Sequence, residues 1–293
     1  MLRYLSLAWL SCSLMYSQNL KVDHATAAGR DLRAMQRALE AAGIKSEYGG
    51  PHSNHATEMA LTSFPDGSYL ELIAIQPGAD PKAVAAHEWR KSLEGDAGPT
   101  AWAVRPADLA DEVARLRKAG ISASEPRKNG RKRPDGVQLD WETAQIGPGN
   151  GTFFPFLIHD FTPRERRAYP GGKPTTTQWT GITKVVLAVN DLDRSVKEFQ
   201  RADALAAPER QDDGNFGAKL AWFRGTPVVL AAPLSAQSWL RARLDQFGEA
   251  PCAFVAGSPA GITGGSRLSN WFGKPVMWAD AQRLGWHLGF ESK

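Results

Sequence analysis

Cysteine is nearly absent. Of 293 residues only Cys12 and Cys252 carry a thiol, too few for a disulfide framework or an all-thiolate zinc site. With the N-terminus removed Cys252 stands alone, and a small buried apolar role fits it. Several chemistries have no sequence support: no P-loop, no dinucleotide-binding glycine motif, no Cys-x-x-Cys and no Ser-His-Asp order appear. The glycine pair Gly264-Gly265 follows no strand-to-helix pattern and reads as loop. Beyond the first residues no segment is long and apolar enough for a transmembrane helix.

Charge of one sign is also scarce. The net charge is +4, and much of the basic excess lies in one run, Arg127-Lys128-Asn129-Gly130-Arg131-Lys132-Arg133. A nucleic-acid surface needs a longer basic stripe with interleaved aromatics, so this run is read as a solvated loop and no nucleic-acid partner is expected. What the chain has is ordinary globular material: 42% hydrophobic and 23% charged residues, with ten Trp and 19 Pro.

Residues 1–18 read as an export signal. Arg3 gives a basic start, Tyr4 to Tyr16 carry no charge, and polar Ser17-Gln18-Asn19 follow. A secreted or periplasmic protein is expected on this basis, a cytoplasmic one if the stretch is only an irregular start.

The richest signal is an internal repeat. Residues 21–28 read as a strand, Asp31-Leu32 caps and opens a helix, Leu32, Met35 and Leu39 share its face, and Gly43 ends it. The pattern returns at Thr100–Val104, Asp108-Leu109 and Gly120, with twelve residues from Asp to Gly in both copies. A third copy runs from Ile182 through Asp191-Leu192, with Asp203 at the stop position. A fourth begins at Pro251–Ala256; no helix is expected over 257–266, and its final strands are expected at 275–280 and 284–291. Short strands follow each helix: about 46–49, 56–64 and 68–76 in the first copy, and 122–126, 137–146 and 152–159 in the second. Connector helices are expected at 81–94 and 236–247, and 169–177 is a linker by composition. The fold expected is α+β: βαβββ modules paired into half-open antiparallel barrels, in domains of about 20–167 and 178–293.

Alternate residues of each strand would line such a hollow. His24 shares a face with Val22 and Thr26; Glu71 shares one with Tyr69 and Ile73. A carboxylate among Tyr69, Leu70, Leu72 and Ile73 is costly to bury without a compensating cation or hydrogen bonds. A divalent metal held by His24 and Glu71 meets that need, and an N/O donor pair suits Fe, Mn, Ni, Co or Zn. The other reading leaves Glu71 in water on an edge strand and His24 hydrogen-bonded in the core. Trp102, Trp141 and Phe156 are candidates for the apolar wall of a substrate pocket. His52 and His55 form H-x-x-H on a turn, which excludes the helical metalloprotease arrangement.

Val22-Asp23-His24, Gly49-Gly50-Pro51-His52, Ala56–Ala60 and Tyr69–Ile73 resemble the glyoxalase-like branch of the vicinal oxygen chelate superfamily. Asp135–Trp141 and Pro155–Ile158 resemble its second module. The likeness covers most of 21–167, and 180–293 only in overall repeat form. It implies the paired βαβββ barrel, a metal on first-strand and last-strand side chains, and a small oxygen-rich ligand chelated there. The activities it implies are of lyase, isomerase or dioxygenase type, with ligand sequestration without metal as the alternative. Glu71 is the implied catalytic group and His52 a third ligand or substrate donor. Ala101 and either Pro155 or Phe156 stand where the second module would offer ligands, and Lys184 and Val229 where the third would. The C-terminal half is therefore expected to be metal-free, covering the first half or forming a homodimer.

Overall fold

The computed structural model describes residues 20–133, 135–259 and 267–292. The export-signal reading of 1–18 and most of the glycine-rich stretch 257–266 lie outside them. Among the described residues no helix is long and apolar enough to cross a membrane.

Four modules follow one another. The first holds β1 (Val22–Gly29), α1 (Leu32–Ala41), β2 (Glu47–Pro51), β3 (Thr57–Ser63) and β4 (Tyr69–Ile75). Two short helices, α2 (Pro81–Ala86) and α3 (Arg90–Glu94), lead to the second: β5 (Gly98–Val104), α4 (Leu109–Lys118), β6 (Arg127–Lys132), β7 (Gln138–Ala144) and β8 (Phe156–Asp160). After α5 (Arg164–Ala168) comes the third, with β9 (Ile182–Ala188), α6 (Leu192–Asp203), β10 (Glu209–Asp213), β11 (Ala218–Trp222) and β12 (Val228–Pro233). The helix α7 (Trp239–Phe247) precedes β13 (Ala250–Ser258), β14 (Arg267–Trp271), β15 (Lys274–Trp278), α8 (Ala281–Leu284) and β16 (His287–Ser292).

The helix starts follow from capping chemistry. Asp31, Asp108 and Asp191 each accept a backbone N–H three residues on, from Ala34, Asp111 and Arg194. Gly43 and Gly120 take positive φ after α1 and α4, as the spacing requires. The third stop differs from the sequence expectation. Asp203 is still helical, and Ala204 adopts the left-handed conformation at φ 50°. The Asp203 carboxylate is instead buried against Arg115 of α4.

Each pair of modules makes one eight-stranded sheet, ordered β2-β3-β4-β1-β5-β8-β7-β6 and β10-β11-β12-β9-β13-β16-β15-β14. The first strands of paired modules meet antiparallel at the centre, and each also pairs in parallel with the last strand of its own module, as β1 does with β4. The molecule is thus α+β, with two curled half-barrels in two domains. Alternation sends one set of side chains into each hollow and the other outward against the helices. The outward set joins across the two halves into one apolar core that includes Val22, Trp102, Phe199 and Phe254.

Three expectations are corrected. The basic run is no loop: Arg127–Lys132 is the edge strand β6, while 122–126 contributes only an isolated bridge, Ala123 to Ile146. Charged side chains are tolerated there because an edge strand has one neighbour and open flanks. The connector at 81–94 breaks into two helices around His87–Trp89. In the fourth module 281–284 is helical, so the last strand starts only at His287.

Candidate functional site

The hollow of the first sheet encloses about 390 Å³. β1 and β4 run parallel with Thr26 opposite Glu71 and His24 opposite Tyr69, so all four side chains lie on neighbouring strands of one wall. His24 and Glu71 both line the cavity, with Nε2 of His24 3.9 Å from Oε2 of Glu71. His52, from the turn after β2, brings its Nε2 to 3.5 Å from Oε1 of the same carboxylate. The Thr26 hydroxyl donates to Oε2 at 3.0 Å. His52 is itself steadied through Nδ1, 2.8 Å from the Thr57 hydroxyl.

Burial would push the Glu71 carboxyl up. The His52 contact, the nearby His24 imidazole and the Thr26 hydroxyl reverse this and hold it at about 2. Glu71 is therefore an anion at neutral pH although it is only 7% exposed.

Behind His24 lies a feature that sequence reading missed. Asp23 is fully buried, and its Oδ1 is 2.6 Å from Nδ1 of His24. Arg164 and Arg167, one turn apart on α5, both grip Asp23 and are themselves held by Asp160. Burial alone would raise the Asp23 carboxyl, but Arg167 and Arg164 beside it keep it well below the usual carboxylate range. An ionised carboxylate only accepts, so the Asp23 contact places a proton on Nδ1 of His24 and aims Nε2 at Glu71 across the hollow. The His24 ring is stacked on Tyr69 at 4.8 Å between centroids, and the Tyr69 hydroxyl lies 2.7 Å from a guanidinium nitrogen of Arg167. Burial pushes the Tyr69 hydroxyl up, so it stays a neutral phenol.

The donor set suits a divalent cation. Nε2 of His24 and Oε2 of Glu71 face each other at 3.9 Å, an N/O donor pair for a divalent cation when Nε2 carries no proton, and a buried carboxylate secures the imidazole from behind as metal-binding histidines require. Among the described residues no group of three or more His, Cys, Asp or Glu side chains is arranged to hold a metal.

The other expected residues divide. Trp141 and Phe156 line the cavity, and Phe156 meets the His24 ring edge-on. Trp102 does not. It is fully buried on the outer face of β5, in the core with Val104, while Ala101 and Ala103 face inward. Strand alternation decides this: once Ala101 occupies the position of His24, its neighbour must point away. His55 stands on the turn at φ 58° and does not line the cavity. His87 lines it from the break between α2 and α3, and accepts the Trp89 N–H at 3.1 Å. From β6, Arg127, Asn129 and Arg131 turn inward at alternate positions.

The second sheet is built differently. Lys184, at the position of His24, is buried and paired with Glu291 on β16. Its hollow is packed with rings: Phe216 against Trp239, Trp271 and Trp278, and His287 stacked on Trp239 at 4.1 Å.

Comparison with known proteins bears on this geometry. A family model described as Glyoxalase-like domain matches residues 22–203. The crystal structure of a hypothetical protein from Staphylococcus aureus superposes with a TM-score of 0.64 at 13% identity, over 93% of this chain and 99% of that one. A mutant of 4-hydroxymandelate synthase from Streptomyces coelicolor gives 0.59 at 10% identity, over 94% and 92%. At these identities the shared property is the fold. No curated protein matches the sequence.

Proposed function

This chain belongs to the glyoxalase-like domain family of the vicinal oxygen chelate superfamily, and on that premise we propose that it is a divalent-metal-dependent enzyme of lyase, isomerase or dioxygenase type. Its substrate is a small oxygen-rich molecule. The observation that carries the reading is the facing pair, Nε2 of His24 and Oε2 of Glu71 at 3.9 Å, with Asp23 fixing the imidazole from behind.

His24 and Glu71 would hold the ion, with His52 as a further donor to the ion or to the substrate. The ion, when bound, supplies Lewis-acid polarisation of a substrate oxygen. Glu71 is the catalytic group of this proposal, its carboxylate held by Thr26 through one oxygen and reached by His52 at the other. Trp141 and Phe156 orient the substrate and exclude water along the wall. Export of the chain, as residues 1–18 suggest, is part of the proposal and is tested by the N-terminal mass of the protein recovered from its producing cell.

The test is metal analysis of the purified chain after chelation and re-addition of Fe, Mn, Ni, Co or Zn. Saturable uptake by the native chain, lost in both His24→Ala and Glu71→Ala, is expected. No saturable uptake, or uptake unchanged in both variants, rejects the reading. A second reading, a metal-free protein that sequesters a small ligand, is favoured by the second module: Ala101 and Phe156 supply no donors to the hollow. It predicts ligand protection against heat that survives EDTA.

A further inference from the structure

We infer that the hollow of the first sheet takes a small molecule with an apolar body and an anionic oxygen group, a carboxylate or a phosphate, and that Arg131 and Arg127 of β6 receive the anion. This deepens the preceding proposal and rests on its reading of the hollow as a small-molecule site.

The argument begins with Arg131. Its residue is 8% exposed, and its guanidinium is charged at any ordinary pH. The other cations buried to this degree, Arg167 and Lys184, each meet a carboxylate: Asp23 and Asp160 for the first, Glu291 for the second. Arg131 meets none among the described residues. Of its five N–H donors one is used, from Nη1 to the Gly49 carbonyl at 2.9 Å. Glu71 in the same hollow attracts the guanidinium without bonding to it, so an anion arriving at the unused fork gains direct charge-assisted contacts that Arg131 does not yet make. Carboxylate and phosphate both fit that planar fork in bidentate fashion.

The neighbours make the site. Strand alternation puts Arg127 on the same inward face two turns of the pleat away, with Asn129 between them. Arg127 likewise has no carboxylate partner among the described residues. Asn129 is held in place by its own amide, which donates to the Thr143 hydroxyl at 2.8 Å. Two acids line the hollow: Glu71 is already taken by Thr26, His24 and His52, and Glu88 accepts from the Asn150 amide. Trp141 and Phe156 give the flat apolar wall that a ring or short chain would lie on. A positive wall, an apolar wall and a donor pair in one cavity select an amphipathic anion over a neutral polyol or a cation.

The experiment is calorimetric titration of the EDTA-treated full chain with benzoate, phenyl phosphate and the neutral benzamide. One or both anions should bind about tenfold more tightly than benzamide, the effect of one charge-assisted hydrogen-bonded contact. The stronger of the two identifies the oxyanion preferred. Arg131→Gln should bring the anions down to benzamide and leave benzamide unchanged, and thermal melting checks that the variant is folded. Arg127→Gln, at an exposed position, should fold normally and reduce the preference about threefold. Equal binding of all three probes, no measurable anion binding, or a preference that survives the double variant Arg127→Gln/Arg131→Gln overturns the inference. Because the protein is stripped of metal throughout, an anion preference found alongside failed metal uptake rejects the metal proposal and upholds this one.

Discussion

Asp23 and His24 are adjacent in sequence, and their side chains are bonded to each other, Oδ1 to Nδ1 at 2.6 Å. The ladder between β1 and β5 shifts register between Val22 and His24, so Val22 joins the outer core instead of sharing the face of His24, and the contact links His24 to an arginine cluster of which Arg167 also lines the hollow. Asp23→Asn keeps the shape and removes the charge. Divalent-metal affinity should fall about 10–100-fold, because the imidazole loses its anionic anchor. Stability should fall by roughly 3–5 kcal/mol, since Asp160 is then the one carboxylate left to pair with both Arg164 and Arg167 among the described residues. Urea unfolding and metal titration check both; a variant with native values for each would show that the cluster holds nothing.

The second half tests a different balance. Burial pulls the Lys184 ammonium down and Glu291 only partly restores it. Glu291→Ala strands that ammonium and should cost roughly 3–5 kcal/mol, whereas Lys184→Met with Glu291→Leu should lie within about 1 kcal/mol of the native chain. Chemical denaturation of the three proteins decides it. A single variant no worse than the double one would mean that the ammonium reaches water.

Trp102 and Trp141 separate core from site. Trp102→Ala should lose roughly 3–5 kcal/mol by opening a void in the shared core, with the benzoate affinity of the folded fraction unchanged. Trp141→Ala removes a half-buried wall residue, so its stability cost should be smaller and its loss of benzoate affinity larger. Melting and titration of both variants check the contrast, and the opposite pairing of effects would exchange the two assignments.

These cases show what the sequence could and could not tell. Module boundaries were legible because capping is local: Asp31, Asp108 and Asp191 announce helices by chemistry that acts over three residues. His24, His52 and Glu71 were legible as polar residues in apolar or turn settings. The arginines that matter were not. Arg164 and Arg167 find Asp23 across some 140 positions of chain, and no local pattern encodes that meeting. Arg131 was hidden in a basic run whose composition suggests solvent, although the period of two selects which of its members turn inward. Trp102 was misread for the reverse reason, since that same period, applied from Ala101, already excludes it from the hollow.

The last prediction concerns the junction of the two halves, where Arg115 of α4 reaches the Ala202 carbonyl at 2.6 Å and the Asp203 carboxylate at 3.2 Å. Burial raises the Asp203 carboxyl to about 7, against the opposing pull of Arg115. In the unfolded chain the same group titrates near the ordinary aspartate value of about 3.9. Between those two values the folded chain holds a proton that the unfolded chain has lost, so stability is greatest at the acid end and declines as pH rises toward 7. The amide of an Asp203→Asn variant carries no titrating proton, so its stability lacks this decline. The melting temperature of Asp203→Asn relative to the native chain should therefore rise from pH 5 to pH 7 and level off above. A difference that stays flat, or falls, over that interval would mean that Arg115 keeps Asp203 ionised throughout and that the junction is a plain salt bridge.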